Sequence, residues 1–376
     1  MKPDGNVVTV VENSQMANDG AYDLVWAHIN SMTSLSTKGL LADYNSLPVI
    51  DITRPWWNQL ATESLTVNGR CYLQMNYIPF TGVLLSHCLY YNKDMAKDNG
   101  IEDIYALVKN NEWTFEKFAE LSKKVSRDVD GNTVFDAADT YGLVCSHGTA
   151  GVGFSVGMDV NRPISKVAAD GSFTTQMGTD RTQKVLELIV SLTTDPSTYL
   201  ITNYKLENDL AKMFANDQAL FYSGFLSDSY QFFRNMNSDF GLLPFPKYDA
   251  AQENYITTVT GGTGLLGIPK QLKNEEKTGV ITEALAIESY TDIYPVIYET
   301  VFENKVLRDA ESQEMFDILM NGLEIDFGRT YKQSDYAGLF DTLVAAGETT
   351  LASREKVLAK AAQKHYENVI KHFYTE

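Results

Sequence analysis

Long apolar runs are absent from this 376-residue chain: no stretch of ~18 consecutive apolar side chains occurs, so no segment reads as a membrane-spanning helix. Cysteine is scarce, with only Cys71, Cys88 and Cys145. An odd number without metal-ligand spacing provides neither a disulfide framework nor a zinc site. The few histidines (His28, His87, His147, His365, His372) show no zinc-protease spacing. No Gly-x-Ser-x-Gly elbow is present, and Asp326-Phe327-Gly328 occurs without the glycine-rich loop that would make it a kinase signature. Positive charge is in deficit: 31 basic residues face 49 acidic ones, a net charge of −18. That balance repels a phosphate backbone and anionic lipid alike, so nucleic acid is not expected as a partner. The start at Met1-Lys2-Pro3-Asp4-Gly5 carries no charged and apolar leader of the secretory kind.

What is present is apolar and aromatic material in quantity. Hydrophobic residues make up 44% of a chain longer than one core usually supports, so two globular units are expected. With 21 Tyr, 18 Phe and 4 Trp, most aromatics must be core, and the excess of Tyr leaves some for a binding surface. Val7 to Val11 reads as a β-branched strand. Ala21 to Asn45 reads as a short buried strand (Tyr22, Leu24, Val25), a polar turn with Trp26, His28 and Asn30, and a helix stopping at Gly39. Asn68-Gly69 between apolar runs signals a hairpin. Helical spacing follows at Ile101 to Val108 and at Phe115 to Val125, where Thr114 is placed as a cap. Thr140 to Phe154 reads as a strand giving way to a glycine-rich turn, and Ala219 to Ser223 as another strand. Phe240 to Lys247 is an extended, proline-pinned segment. Strands alternating with helices, without repeats, point to α/β architecture.

Several segments in order resemble the extracellular solute-binding proteins of bacterial ABC importers, in the sugar-binding branch with the maltodextrin binders. They include Tyr22-Asp23-Leu24-Val25-Trp26-Ala27-His28, Gly39-Leu40-Leu41-Ala42-Asp43, Tyr90-Tyr91-Asn92-Lys93-Asp94 and Glu112-Trp113-Thr114-Phe115-Glu116-Lys117-Phe118. Asp139-Thr140-Tyr141-Gly142-Leu143, Phe214-Ala215-Asn216-Asp217-Gln218-Ala219-Leu220-Phe221, Phe240 to Lys247 and Arg308 to Met315 continue the series. The resemblance implies a type II periplasmic-binding-protein fold, α/β with two Rossmann-like lobes around a ligand cleft. Lobe 1 would comprise 1–90 plus 247–294 and lobe 2 91–246 plus 295–376, with a hinge near 90–92, 240–246 and 294–295. It implies a non-catalytic receptor for a mono- or oligosaccharide that closes on its solute and docks on ABC permease subunits. It also implies an extracytoplasmic location with a lipoprotein anchor; the signal, the acylated Cys, a first strand and a long helix of the family do not precede Val7 in this chain. A carbohydrate-active α/β enzyme, or a receptor for a peptide or other small polar ligand, is the alternative.

Sugar recognition needs flat apolar faces and planar polar groups in a concave site. By the resemblance, Trp26, His28 and Asn30 face the cleft, and Phe80 and Thr81 sit on a second loop of lobe 1. On lobe 2, His147 and Phe154 bound a glycine-rich loop that lacks dinucleotide spacing. Tyr222 and Phe225 end a strand where the family places an aromatic contact, and Gly262 and Thr263 would offer amides and a hydroxyl. Trp56, Trp57 and Trp113 are read as structural packing. No cofactor is expected, with one option open: Asp128, Asp130, Asn132, Val134, Asp136 and Asp139 fall at positions 1, 3, 5, 7, 9 and 12 of a calcium loop. Thr133 replaces its usual Gly and Asp139 its bidentate Glu, so a structural calcium and a metal-free turn both remain.

Overall fold

The computed structural model describes residues 6–79, 81–101, 103–302 and 310–375. Among these, the chain forms a mixed α/β structure with strands β1 (Val25–His28), β2 (His87–Asn92), β3 (Tyr141–Ser146), β4 (Thr198–Ile201) and β5 (Ala219–Phe225). They are followed by β6 (Phe240–Leu243), β7 (Thr257–Thr258), β8 (Gly264–Gly267) and β9 (Leu323–Glu324). The main sheet has the order β4-β3-β5-β2-β6; β3 runs parallel to β4 and β5, whereas β2 runs antiparallel to β5 and β6. Strands β2, β3 and β6 are buried along their whole length, which explains their near-continuous apolar sequence: helices cover both faces. Two small sheets pair distant segments, β1 with β8 and β7 with β9.

One apolar cluster joins Val25, Ile29, Met32 and Leu266 to Phe118, Leu143, Phe154 and Ile189. A second lies around Tyr90, Phe214, Tyr222, Phe233 and Phe240. The tryptophans read as packing are structural: Trp57 is fully buried against Tyr44, and the indole N–H groups of Trp56 and Trp57 donate to the Glu283 carboxylate at 2.7 and 3.3 Å. Trp113, also fully buried, donates to the Pro244 carbonyl at 2.9 Å. Thr114 caps the helix Phe115–Ser122 through the Lys117 amide.

Two expectations are corrected. Val7 to Val11 is not a strand but the start of the helix Val7–Ala17, capped by the Asn6 side chain. Its buried residues Val11, Ser14 and Gln15 share one helical face packed toward the helix Ile29–Thr37, and that packing outweighs β-branched propensity. Likewise, residues 147–157 form one helix with a wide π turn in the middle rather than a glycine-rich turn. Gly153 is there for packing, since a Cβ would stand 2.3 Å from the Phe245 ring. The Asn68-Gly69 turn does form, with φ of 52° and 71° and reciprocal Val67–Arg70 hydrogen bonds, but the pairing is an isolated bridge after the helix Gln59–Leu65 and does not extend into two strands.

Strand β3 passes directly beneath the end of Phe115–Ser122, and a Cβ on Gly142 would lie 1.8 Å from the Ser122 carbonyl oxygen. Backbone cannot yield there as a side chain would. Gly142→Ala is therefore expected to lower stability by about 3 kcal/mol or to prevent folding. Urea unfolding checks this, and a loss below about 0.5 kcal/mol would contradict the described packing.

Candidate functional site

The pairing of the main sheet brings several strand ends to one place. Because β2 is antiparallel to β5, its first residue, His87, lies in register with the last residue of β5, Phe225, and their rings meet edge-on with centroids 5.0 Å apart. At the same edge β3 runs into the helix 147–157, whose Gly148, Thr149 and Val152 face a cavity of about 410 Å³. Tyr204 and Glu207, which follow β4, complete this wall. The facing wall is Ile29, immediately after β1, with Thr258 at the end of β7 and Val259 to Gly261 after it. The segment after β9 closes the cavity with Asp326, Arg329, Lys332 and Asp341. Ligand sites of α/β sheets form at the carboxyl ends of parallel strands, and this volume falls in the ~300–1,000 Å³ range of small-molecule sites.

The lining is polar and unevenly satisfied. Asp326 is committed: its carboxylate caps the turn Phe327–Thr330 through the Arg329 amide at 2.7 Å, and burial raises its pKa. Glu207 accepts from the Ser146 hydroxyl at 2.7 Å. By contrast, among the described residues, His87 Nδ1, Arg329 Nη1 and Asp341 Oδ1 are buried without a partner. Each such atom costs about 1–3 kcal/mol unless something bonds to it. Burial, and then the Arg329 charge, depresses the His87 pKa to about 3, so this imidazole is neutral. Burial raises Asp341 to about 6, with Arg329 and Lys332 acting the other way.

Of the residues expected to bind ligand, Phe225 lines the cavity directly. His147 is buried beside it, its ring 4.4 Å from Tyr204. Thr263 is buried behind the wall, where its carbonyl accepts from the Ile29 amide at 3.1 Å, and exposed Gly262 donates to the Thr260 hydroxyl at 2.9 Å. Trp26 is 48% exposed and, like Asn30, stands outside the lining. His28 also stands outside it, capping the helix Ile29–Thr37 through the Asn30 amide, within electrostatic range of Lys332. Phe154 is fully buried against Phe115, Phe118 and Phe245, which corrects the expectation that it meets ligand. Tyr222 is corrected likewise: it faces the second core, and its hydroxyl donates to Asp228 at 2.8 Å. Thr81 begins a short helix, and Phe80 lies outside the described residues. Sequence reasoning missed Tyr204, Glu207, Arg329, Lys332 and Asp341. Asp326-Phe327-Gly328, the one recognisable motif beside them, lacks the glycine-rich loop of a kinase and does not mark them.

In the Asp128 to Asp139 loop, one carboxylate oxygen each of Asp128, Asp130 and Asp139 lies within 4.8 Å of the others. Thr133 takes the left-handed φ of 66° usually reserved for Gly at that position. All five candidate side chains of the loop accept from its backbone amides, Asp128 from Gly131 and Thr133, Asp130 from Asn132, Asn132 from Val134, Asp136 from Ala138, and Asp139 from Val129 and Asp136.

A mixed sheet, two walls from chain segments far apart in sequence and a polar cavity between them define a type II periplasmic solute-binding fold. The chain belongs to the family of bacterial extracellular solute-binding proteins, whose family model matches residues 8–289. It is similar in fold to the maltose/maltodextrin-binding domain of Bdellovibrio bacteriovorus bound to maltotriose (TM-score 0.62, 16% identity, 97% of this chain and 89% of that one). It is similar also to a Thermotoga lettingae ABC transporter solute-binding protein bound with α-D-tagatose (TM-score 0.61, 17% identity, 95% and 88%). A third is an Agrobacterium radiobacter solute-binding protein in complex with ribitol (TM-score 0.59, 13% identity, 97% and 90%). No curated protein matches the chain by sequence.

The raised Asp341 pKa has a defined pH signature. An acid whose folded pKa exceeds its unfolded value stabilises the fold fully below the unfolded value and loses that contribution as pH rises through the folded one. For Asp341 the window runs from the ordinary carboxylate value up to about 6. Asp341→Asn mimics the protonated form, so its melting temperature relative to wild type should climb from pH 4 to pH 6 and then level off. A difference independent of pH in melting scans would show that Asp341 is not desolvated.

Proposed function

We propose that this protein is a non-catalytic, extracytoplasmic receptor for a carbohydrate, which it captures by closure of two lobes and delivers to ABC permease subunits. A lipoprotein anchor would hold it at the membrane. The observation carrying the reading is the set of buried, unpartnered polar atoms around one cavity, His87 Nδ1, Arg329 Nη1 and Asp341 Oδ1, next to the flat faces of Phe225 and Tyr204. Planar donors and acceptors match vicinal hydroxyls, and an aromatic face matches the C–H side of a sugar ring. The sugar and polyol ligands of the similar structures support the same reading. Hinge segments near 90–92, 240–246 and 294–295 would let the solute bias the equilibrium toward the closed state by its greater affinity for it.

A thermal-shift screen over mono- and oligosaccharides tests this. A true ligand at 100 times its dissociation constant adds about 2.7 kcal/mol to stability. Phe225→Ala should weaken binding by about tenfold or more, whereas Trp26→Ala, outside the cavity, should change it less than threefold. The reverse order would move the sugar to the exposed end of β1. Incubation with aryl glycosides should release no aglycone, and sustained turnover would favour a carbohydrate-active enzyme.

For the loop Asp128 to Asp139, the reading is that a calcium ion draws together Asp128, Asp130 and Asp139, an all-oxygen set suited to a hard cation. Calcium should then raise the melting temperature and EDTA lower it. A curve unmoved by either leaves a metal-free turn.

A further inference from the structure

We propose that the solute is an anionic sugar, its carboxylate or phosphate seated on Arg329 and Lys332 while its hydroxyls meet His87, Glu207 and Asp341. The proposal rests on reading the cavity as a sugar site and adds the charge of the occupant. Arg329 and Lys332 lie one turn apart and both face the cavity. Lys332 Nζ stands against Gly261 on the facing wall, 4.0 Å from where a Cβ would be. Among the described residues neither cation has a carboxylate within ion-pair distance, and Arg329 Nη1 is buried with no partner. The neighbouring Arg162, on the other side of the same segment, pairs with Glu324 at 2.8 Å and Asp159 at 3.1 Å. In a chain with 49 acidic residues, carboxylates for two cations are not in short supply.

The acids that do reach the cavity are otherwise engaged. Asp326 caps its own turn, and Glu207 accepts from Ser146. Asp341 lies near enough to feel both cations without pairing to either, and burial pushes it toward its neutral form. An anion on Arg329 and Lys332 would favour that neutral form further, leaving the Asp341 carboxyl able to donate to the same ligand. A neutral sugar would leave the guanidinium without the charged, two-oxygen acceptor that its fork of N–H donors matches best, whereas carboxylate and phosphate both supply one.

Titration calorimetry on the whole protein decides it, with glucose, galactose and mannose, the corresponding uronates and the 6-phosphates as probes. We expect at least one acid to bind 100-fold or more tightly than its parent hexose, with affinity falling as sodium chloride rises. The uronate and phosphate arms identify which anion is preferred. Arg329→Gln and Lys332→Gln should each weaken the acid at least tenfold and the parent hexose less than threefold. Lys332→Gln, at a half-buried position, serves if Arg329→Gln fails to fold. Parent hexoses binding as tightly as their acids would overturn the anionic ligand and leave the sugar receptor standing. No binding by any uronate or phosphate would overturn the anionic ligand, and the sugar receptor falls with it only if the oligosaccharides of the thermal-shift screen also fail to bind.

Discussion

The site depends on the direction of a single strand. Were β2 parallel to β5, its carboxyl end would lie at the cavity, and Asn92 rather than His87 would stand beside Phe225. Antiparallel pairing places the amino end of β2 at the carboxyl edge of β3, β4 and β5. One edge of the sheet thereby collects the start of the helix 147–157, Tyr204, Glu207, Phe225 and His87. The remaining wall is held by two short pairings: β1 with β8 fixes Ile29, and β7 with β9 ties Thr258 to Glu324, just ahead of the segment carrying Asp326, Arg329 and Lys332. A small change of register in any of these would misplace the polar atoms by a residue.

Rigidity behind the walls gives those polar atoms their chemical meaning. Phe154 of the helix 147–157 packs on Phe118 and Phe245, each with a centroid separation of 5.0 Å, and Gly153 lets the Phe245 ring approach the helix backbone. The helix cannot tilt inward to satisfy Asp341, because Asp341 already lies against Gly151. A buried polar atom prevented from finding a protein partner retains its capacity for a ligand, and no reorganisation is needed when the ligand arrives.

Much of the fold was legible in residue patterns, because the main strands and amphipathic helices bury their apolar faces in the ordinary way. The helix Phe115–Ser122 with its Thr114 cap, and the strands β3 and β5, were readable for that reason. Val7–Ala17 misled because β-branched residues were weighed without the tertiary face that Val11, Ser14 and Gln15 occupy. The site was less legible. Phe225 could be found at the end of its strand, but Arg329 sits in the four-residue turn Phe327–Thr330, Lys332 in the loop after it, and Asp341 on a helix whose apolar period marks its buried face and not its polar role. Phe154 and Tyr222 failed as candidates because an aromatic near a strand end has two faces to choose from, and in both cases the core claimed the ring. Trp26 was conspicuous in the sequence, yet β1 directs it outward and leaves its plainer neighbour Ile29 to meet the cavity.

The segment after β9 shows how one stretch can serve structure on one side and recognition on the other. On its outer side Glu324 is locked to Arg162, whose charge opposes the upward pull of burial on the Glu324 pKa, and the pair fixes where the segment begins. Ile325, 3% exposed, fills the space between the two sides. Asp326 then turns the chain by capping Phe327–Thr330, which aims Arg329 and, a turn later, Lys332 at the cavity. The paired arginine holds the position, and Arg329, unpaired among the described residues, is left to bind. If both were neutralised internally, the segment would be equally well anchored but would have no charge to offer a solute. If neither were, it would lack the anchor that keeps the guanidinium in place, and side-chain ordering would then have to accompany every binding event.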